Sequence, residues 1–366
     1  MTKRIDDAII IVGGTMARKG LLNRINKFIV EKYSKRTHDV SSHTFWPSSA
    51  SLRIEEKDGT IRLAGKCARY LYWRNTGELP TDKIDAWGVR KMAAGDAIED
   101  TYNVWAEEDG ILIEKQHHIQ YDIGNITVSG RIDGIYMIDN EIICAEIKTF
   151  DGYYAQKEIF GTSSTPGRPK DTNILQVMLY LDYFRNNKYS NEEHNISNVD
   201  IKEFRLCYIQ RSDMKDREYI ISLEELRRPA TLIEINKEIH VPSSNICTRQ
   251  SDVYVTDYIP VITPLIEDTP GSSIYLTGYS LLGLHERMKM IYRCIMSNEL
   301  PPREYEYTYS DEKIEKLYKD GTLSKKKYAE YQKGMAVGDW NCRWCIYKTK
   351  CWGDKPWENQ KQEESK

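Results

Sequence analysis

The stretch from Val128 to Thr149, V-S-G-R-I-D-G-I-Y-M-I-D-N-E-I-I-C-A-E-I-K-T, reads as two strands joined by a tight turn. Asp139-Asn140 is the turn signal, because both residue types tolerate a left-handed backbone. β-branched and aromatic residues flank it on both sides. A two-residue loop pairs Ile138 with Glu141, which sets Asp133 opposite Glu146 and Arg131 opposite Lys148. Directly opposed side chains stand roughly 5 Å apart at Cβ. Asp133, Glu146 and Lys148 then share one face. Ile132, Tyr136, Ile138, Ile143, Ala145 and Ile147 share the other and are the expected core face. A slip of one residue would bury the charges and expose the isoleucines, so the pattern pins the register.

Two carboxylates side by side repel unless a cation or a shared proton lies between them. Oxygen donors at this spacing suit Mg²⁺ or Mn²⁺. Lys148 adds a fixed positive charge beside such a metal. This set suits phosphodiester hydrolysis, which needs an activated water and positive charge where negative charge develops. The bland alternative is an exposed sheet face of mixed charge.

The 366 residues suffice for one large domain or two ordinary ones. Hydrophobic residues make up 40% and charged residues 29%, so a packed, soluble, globular protein is expected. No run reaches membrane-span length, and M-T-K-R-I-D-D-A lacks a signal-peptide core, so the expected location is the cytoplasm. With a net charge of −3, nucleic-acid binding must come from local basic patches.

The first 45 residues form a basic appendage: a β-like run, Ala8 to Val12, then a helical stretch punctuated by Arg18, Lys19, Arg24, Lys27, Lys32, Lys35 and Arg36. It faces DNA or a partner, or is an ordinary amphipathic surface helix. Phe45-Trp46-Pro47-Ser48-Ser49 breaks the chain, and a short helix is expected after Cys67. Residues 85–107 read as a helix with Gly95 inside it, a costly placement that marks close approach of a backbone or a ligand. Glu99 lies one turn further on. Residues 111–120 are strand-like, and 150–169 read as a loop. Asp171 or Thr172 caps a helix carrying Gln176 and Tyr180 on one face, at i and i+4. Strands are expected at 204–210 and 218–222, an insertion at about 225–275, helices at 280–299 and 311–333, and a disordered polar tail from 356.

Eight cysteines in a reducing compartment argue against disulfides. Cys144, Cys207, Cys247 and Cys294 are scattered and read as plain buried residues. Cys342, Cys345 and Cys351 form a C-x2-C-x5-C run that suggests thiolate ligation of a metal. A fourth ligand is needed, and Cys67, in a polar, arginine-rich context, is the best candidate. The spacing leaves zinc and an iron–sulfur cluster both open.

The D-x12-E-x-K set resembles the core of the PD-(D/E)XK nuclease superfamily, with Ile132 where the naming proline stands. One cysteine before the nuclease motifs and three after resembles the iron–sulfur subgroup of RecB-type nucleases, which includes the CRISPR-associated adaptation exonuclease and the AddB nuclease domain. S-x-L, then C-A-R at Cys67, Gly95 with Glu99, Asp133, Glu146, Lys148, Gln176, Tyr180 and Leu300-Pro301-Pro302 follow that family's order over roughly residues 46–352.

The resemblance implies an α/β fold: a central mixed sheet flanked by helices, like a restriction-endonuclease core, with a cysteine-cluster cap joining N- and C-terminal segments. It implies a single nuclease domain over 46–355. Asp133 and Glu146 would hold the metal, with Glu99 where the family often has histidine. Lys148 would assist the attack, and Gln176 and Tyr180 would orient substrate. Cys67, Cys342, Cys345 and Cys351 would bind [4Fe–4S]. The expected activity is exonuclease cleavage of single-stranded or end-exposed DNA, in repair, recombination or CRISPR adaptation, with a protein partner possible. The rival reading is a non-catalytic DNA-capture subunit.

Overall fold

The computed structural model describes residues 21–34, 41–55, 61–229, 254–266 and 269–353. The Ala8–Val12 run, Arg18, Lys19, Lys35, Arg36, Cys247 and the tail from 356 lie outside them.

In chain order the elements are α1 (Leu21–Ser34), β1 (Thr44–Phe45), a 3₁₀ turn (Pro47–Ser49), β2 (Ser51–Glu55), β3 (Ile61–Gly65), α2 (Ala68–Asn75), α3 (Ala86–Glu108), β4 (Leu112–Ile123), β5 (Ile126–Ile138), β6 (Glu141–Phe150), α4 (Tyr153–Phe160) and α5 (Asp171–Asn186). They continue with β7 (Tyr189–Asn191), β8 (Ile196–Val199), β9 (Glu203–Gln210), β10 (Asp216–Pro229), β11 (Tyr254–Ile266), β12 (Thr269–Pro270), β13 (Ile274–Tyr275), α6 (Leu281–Ser297), α7 (Asp311–Lys319), α8 (Lys325–Gln332), α9 (Trp340–Arg343) and α10 (Lys348–Trp352).

The fold is α/β. A nine-stranded sheet runs β1-β5-β6-β9-β10-β11-β12, with β4 also on β5 and β13 also on β11. β6 and β9 pair in parallel, as do β1 and β5, while β4–β5, β5–β6 and β10–β11 are antiparallel. The hairpin register is the expected one: Gly134 pairs with Ala145 and Ile138 with Glu141. Asp139 and Asn140 turn at φ +50° and +67°, the left-handed pair a two-residue hairpin needs.

The β5–β6 ladder then stops. β6 stays paired with β9 up to Phe150, while the same edge of β5 is taken by β1 at Thr127 and Val128. Between those two pairings the sheet forks, with Asp133 and Glu146 at the fork.

Helices cover both faces. Phe204 and Tyr208, paired with Cys144 and Lys148, face α5: Tyr180 stacks on Phe204, and the Tyr208 hydroxyl donates to Asn173 at 2.8 Å. Tyr136 and Thr149 alternate to the other face, where Tyr136 donates to Asn103 of α3 at 2.7 Å. The division into a charged outer face and an apolar inner face is therefore corrected. The Glu146 face carries the larger core, including Ile135, Cys144, Phe204 and Leu206, all fully buried. Each such side chain contributes roughly 1.5–3 kcal/mol. Ile138, expected in the core, is exposed beside the turn.

The expected loop at 150–169 contains α4, and 311–333 is two helices, not one. The first helical residue of α5 is Asp171, with Lys170 at the cap position. Of the expected insertion at about 225–275, residues 230–253 lie outside the described residues, and the described parts are mostly strands. β10 runs on to Pro229, and β11 pairs with it from Tyr254 to Leu265, inside the main sheet. Pro260 and Pro264 do not break β11. Their carbonyls accept from Leu276 and Gly271 on the outer edge, so their missing N–H groups also face outward, away from β10. Among the described residues no helix is long and apolar enough to cross a membrane.

Candidate active site and cysteine cavity

The fork in the sheet places the carboxylates. Asp133 lies one residue beyond the last β5–β6 pair, and its Oδ2 accepts from the Ile147 backbone N–H at 2.8 Å, bridging the gap. Glu146 is fully buried on β6. Its Oε1 accepts from Lys148 Nζ and from Gln176 Nε2. Its Oε2 is buried and has no hydrogen-bond partner. Lys148 Nζ also lies 3.7 Å from Asp133 Oδ2. A buried carboxylate oxygen without a partner costs free energy, so the site has a place for a further positive or hydrogen-bonding group.

The titration of these groups follows from burial. Burial pushes Glu146 up to about 8; Lys148 opposes this and Asp133 adds to it. Burial raises Asp133 as well, against the pull of Lys148 and the Ile147 N–H. Burial would lower the Lys148 ammonium, but Glu146 and Asp133 more than compensate and hold it above its usual range.

Gln176 and Tyr180 meet as their spacing on α5 predicts. Gln176 Nε2 donates to the Tyr180 hydroxyl at 2.9 Å, and that hydroxyl donates to the Arg131 carbonyl at 2.7 Å. Both side chains are buried. They hold Glu146 from behind and tie α5 to β5.

Gly95 does what its position inside α3 predicts. A Cβ there would come within 3.1 Å of Thr149 Oγ1, so its absence lets the helix lie close on β6. One turn on, Glu99 is half-buried and pushed up to about 7, by burial first and then by the Asp133 charge. Asp100 points outward and pairs with Lys115 at 2.8 Å. The structure thus brings Glu99, Asp133, Glu146, Lys148, Gln176 and Tyr180 together.

One residue has no signal in the sequence. Gln116 stands across from Asp133, between the β4–β5 pairs Lys115–Gly134 and His117–Ile132. Its φ is +57°, at a cost of roughly 1 kcal/mol for a residue with a side chain. Its Nε2 donates to Glu99 Oε1 at 2.8 Å. A lone glutamine in a strand-like run reads as a solvent-facing residue.

The four selected cysteines gather elsewhere. Cys67, Cys342, Cys345 and Cys351 line one cavity of about 80 Å³, together with Tyr70, Trp73, Tyr305 and Trp352. Cys67 caps α2, its sulfur accepting from the Tyr70 N–H at 3.4 Å. Cys345 accepts from the Tyr347 N–H at 3.4 Å, and Arg69 Nη1 lies 3.8 Å from Cys351 Sγ. Burial pushes the Cys67 and Cys342 thiols up to about 12, and neighbouring cysteines add to the rise. The framework is tied in several places. Arg287 grips Glu304 with two hydrogen bonds, at 2.8 and 2.6 Å, and Glu304 accepts from the Ala68 N–H beside Cys67. Arg69 Nε donates to the Pro301 carbonyl at 2.7 Å, which gives the leucine-proline-proline segment its place.

A cavity of this size exceeds the ~10–15 Å³ that one water requires. N–H groups aimed at sulfur suit thiolates more than thiols, so the donor set fits a thiolate-held metal centre, whether one zinc or an iron–sulfur cluster. Among the described residues, no three His, Cys, Asp or Glu side chains form a ready group for a single metal ion. Of the cysteines read as plain core, Cys144 is buried, while Cys207 and Cys294 are partly exposed.

No family model matches this chain. No curated protein matches it. Among solved structures, the crystal structure of SSO0001 is similar at TM-score 0.31 and 17% identity, over 55% of this chain and 78% of that one. A likeness this slight carries no functional argument.

Proposed function

We propose that the chain is a metal-dependent deoxyribonuclease acting on single-stranded or end-exposed DNA, and that its four gathered cysteines hold a [4Fe–4S] cluster. The observation that carries the first part is the partnerless, buried Oε2 of Glu146 beside Asp133. The donors there are all oxygen, which suits Mg²⁺ or Mn²⁺, and Glu99 would join Asp133 and Glu146 as a third only as a cation draws them together. Such a cation supplies Lewis acidity and makes a water acidic enough to attack a phosphodiester.

The chain's own residues do the rest. Asp133 and Glu146 hold the cation at the fork. Lys148 keeps a positive charge beside both carboxylates, where the negative charge developing on phosphorus needs it. Gln176 fixes one oxygen of Glu146 and leaves the other free, and Tyr180 fixes Gln176. Glu99 brings a carboxylate from α3, across the sheet from α5. The cysteine cavity lies between α2 and the segment from 340 to 352, so a cluster there would fasten sequence-distant parts around the sheet.

The test is purification without oxygen, followed by incubation with end-labelled single-stranded, double-stranded and closed-circular DNA in Mn²⁺. Loss of label from linear DNA, sparing of circles, and loss of activity in Asp133→Asn are expected. Equal cleavage by Asp133→Asn would overturn the assignment.

A further inference from the structure

We propose that Gln116 is a positioning residue that clamps Glu99 onto Asp133, so that carboxylates from a helix and a strand face one cation. This rests on the metal-dependent reading above and names a residue that reading did not contain.

Glu99 stands on α3 and Asp133 on β5, on separate elements with no backbone bond between them at this point. A carboxylate on a helix surface samples several rotamers, and the negative charge of Asp133 pushes it away. Something must hold it. Gln116 is in the right place, across the ladder from Asp133 on the adjacent strand. Its backbone takes the left-handed region at φ +57°, and its Nε2 reaches Glu99 Oε1 at 2.8 Å. A carboxamide suits the task. Its NH₂ group donates to carboxylates, and it adds no charge to compete with a cation. Outer partners of metal ligands typically affect metal affinity 10–100-fold.

The backbone and the side chain can be tested apart. Glycine adopts the left-handed region freely, so Gln116→Gly keeps the turn of the strand and removes only the carboxamide. Mn²⁺ affinity is measured by the electron paramagnetic resonance of free Mn²⁺, in the full chain, with melting temperature in EDTA recorded beside it. The expected result for Gln116→Gly is roughly 10-fold weaker Mn²⁺ binding with an undiminished metal-free melting temperature. In a Glu99→Gln background the same substitution should weaken binding by less than about 3-fold, because its effect passes through Glu99.

Undiminished Mn²⁺ binding by Gln116→Gly, beside loss of binding in Asp133→Asn, would overturn the role of Gln116 and leave the nuclease reading standing. A full 10-fold loss persisting in the Glu99→Gln background would also overturn it. A parent protein that binds no Mn²⁺ would overturn both proposals.

Discussion

Gln176 donates its Nε2 to Oε1 of Glu146, while Oε2 of the same carboxylate stays buried without a partner. The Lys148 ammonium on Oε1 offsets part of its charge, and a proton or a metal cation can neutralise the rest. Burial raises Glu146 to about 8, far above an unfolded glutamate. The folded state therefore binds the proton more tightly than the unfolded state does. The associated stability is fully present below the unfolded value, near pH 4.5, and is lost as pH rises through about 8. In EDTA the melting temperature is expected to fall between about pH 6 and pH 8.5. Saturating Mg²⁺ should flatten that fall, because the cation replaces the proton. A melting temperature in EDTA that holds steady across this range would refute the argument.

Asp133 has two separable duties. Its charge would serve the proposed cation, and its Oδ2 accepts the Ile147 N–H across the fork. Asn keeps an acceptor and loses the charge; Ala loses both. Asp133→Asn should lose cleavage by more than about 100-fold with a nearly unchanged melting temperature. Asp133→Ala should lose cleavage and a further 1–3 kcal/mol or so of stability, since a buried N–H is left unpaired. Denaturant titration of both variants beside an activity assay checks this. Equal stability of the two variants would show that the Ile147 contact carries no weight.

The sequence was legible where a local rule has a single outcome. Asp139-Asn140 set the hairpin register, and Gly95 announced the close approach of α3. Other features depend on what packs where. Period-two alternation shows that two faces differ, but it cannot show that both are covered, one by α5 and the other by α3. Gly152 and Gly161 made the segment between them look like loop and hid α4. Pro260 and Pro264 disguised β11, because sequence alone does not say which edge a missing N–H faces. Gln116 was invisible for a further reason: its meaning comes from Asp133 and Glu99, which are close only after folding. The cysteines were legible as a set, because Cys342, Cys345 and Cys351 stand close together in the chain at a spacing typical of thiolate ligands.

A cluster held by Cys67, Cys342, Cys345 and Cys351 should make the anaerobic protein brown, with about four irons per chain. Cys67→Ser should bleach it and lower the melting temperature by several degrees, since α2 and the segment near 342–351 lose their common fastening. Cys294→Ser, outside the cavity, should keep the colour. Iron and zinc are read by plasma emission spectroscopy on the same samples. A colourless protein with one zinc per chain would replace the cluster by a mononuclear site.

Glu99 and Asp100 are neighbours on α3 with opposite surroundings. Glu99 turns inward, held by Gln116 and raised to about 7 by burial and by the Asp133 charge. Asp100 turns outward to Lys115, with its side chain 65% exposed. An exposed ion pair of that kind is worth about 0–1 kcal/mol. If helix α3 presents a ligand to the cation, Glu99 is the residue that does so. Glu99→Ala should therefore raise the Mg²⁺ concentration for half-maximal cleavage by roughly 10-fold, while DNA affinity in Ca²⁺ stays within about 2-fold. Asp100→Ala should leave both unchanged. A third carboxylate also favours hard cations over nitrogen-seeking ones, so Mg²⁺ alone should support cleavage. The measurement is a metal titration of cleavage for the two variants side by side. A loss in Asp100→Ala with a parent-like Glu99→Ala would mean that α3 is rotated by about 100° from the orientation that Gly95 and Thr149 define.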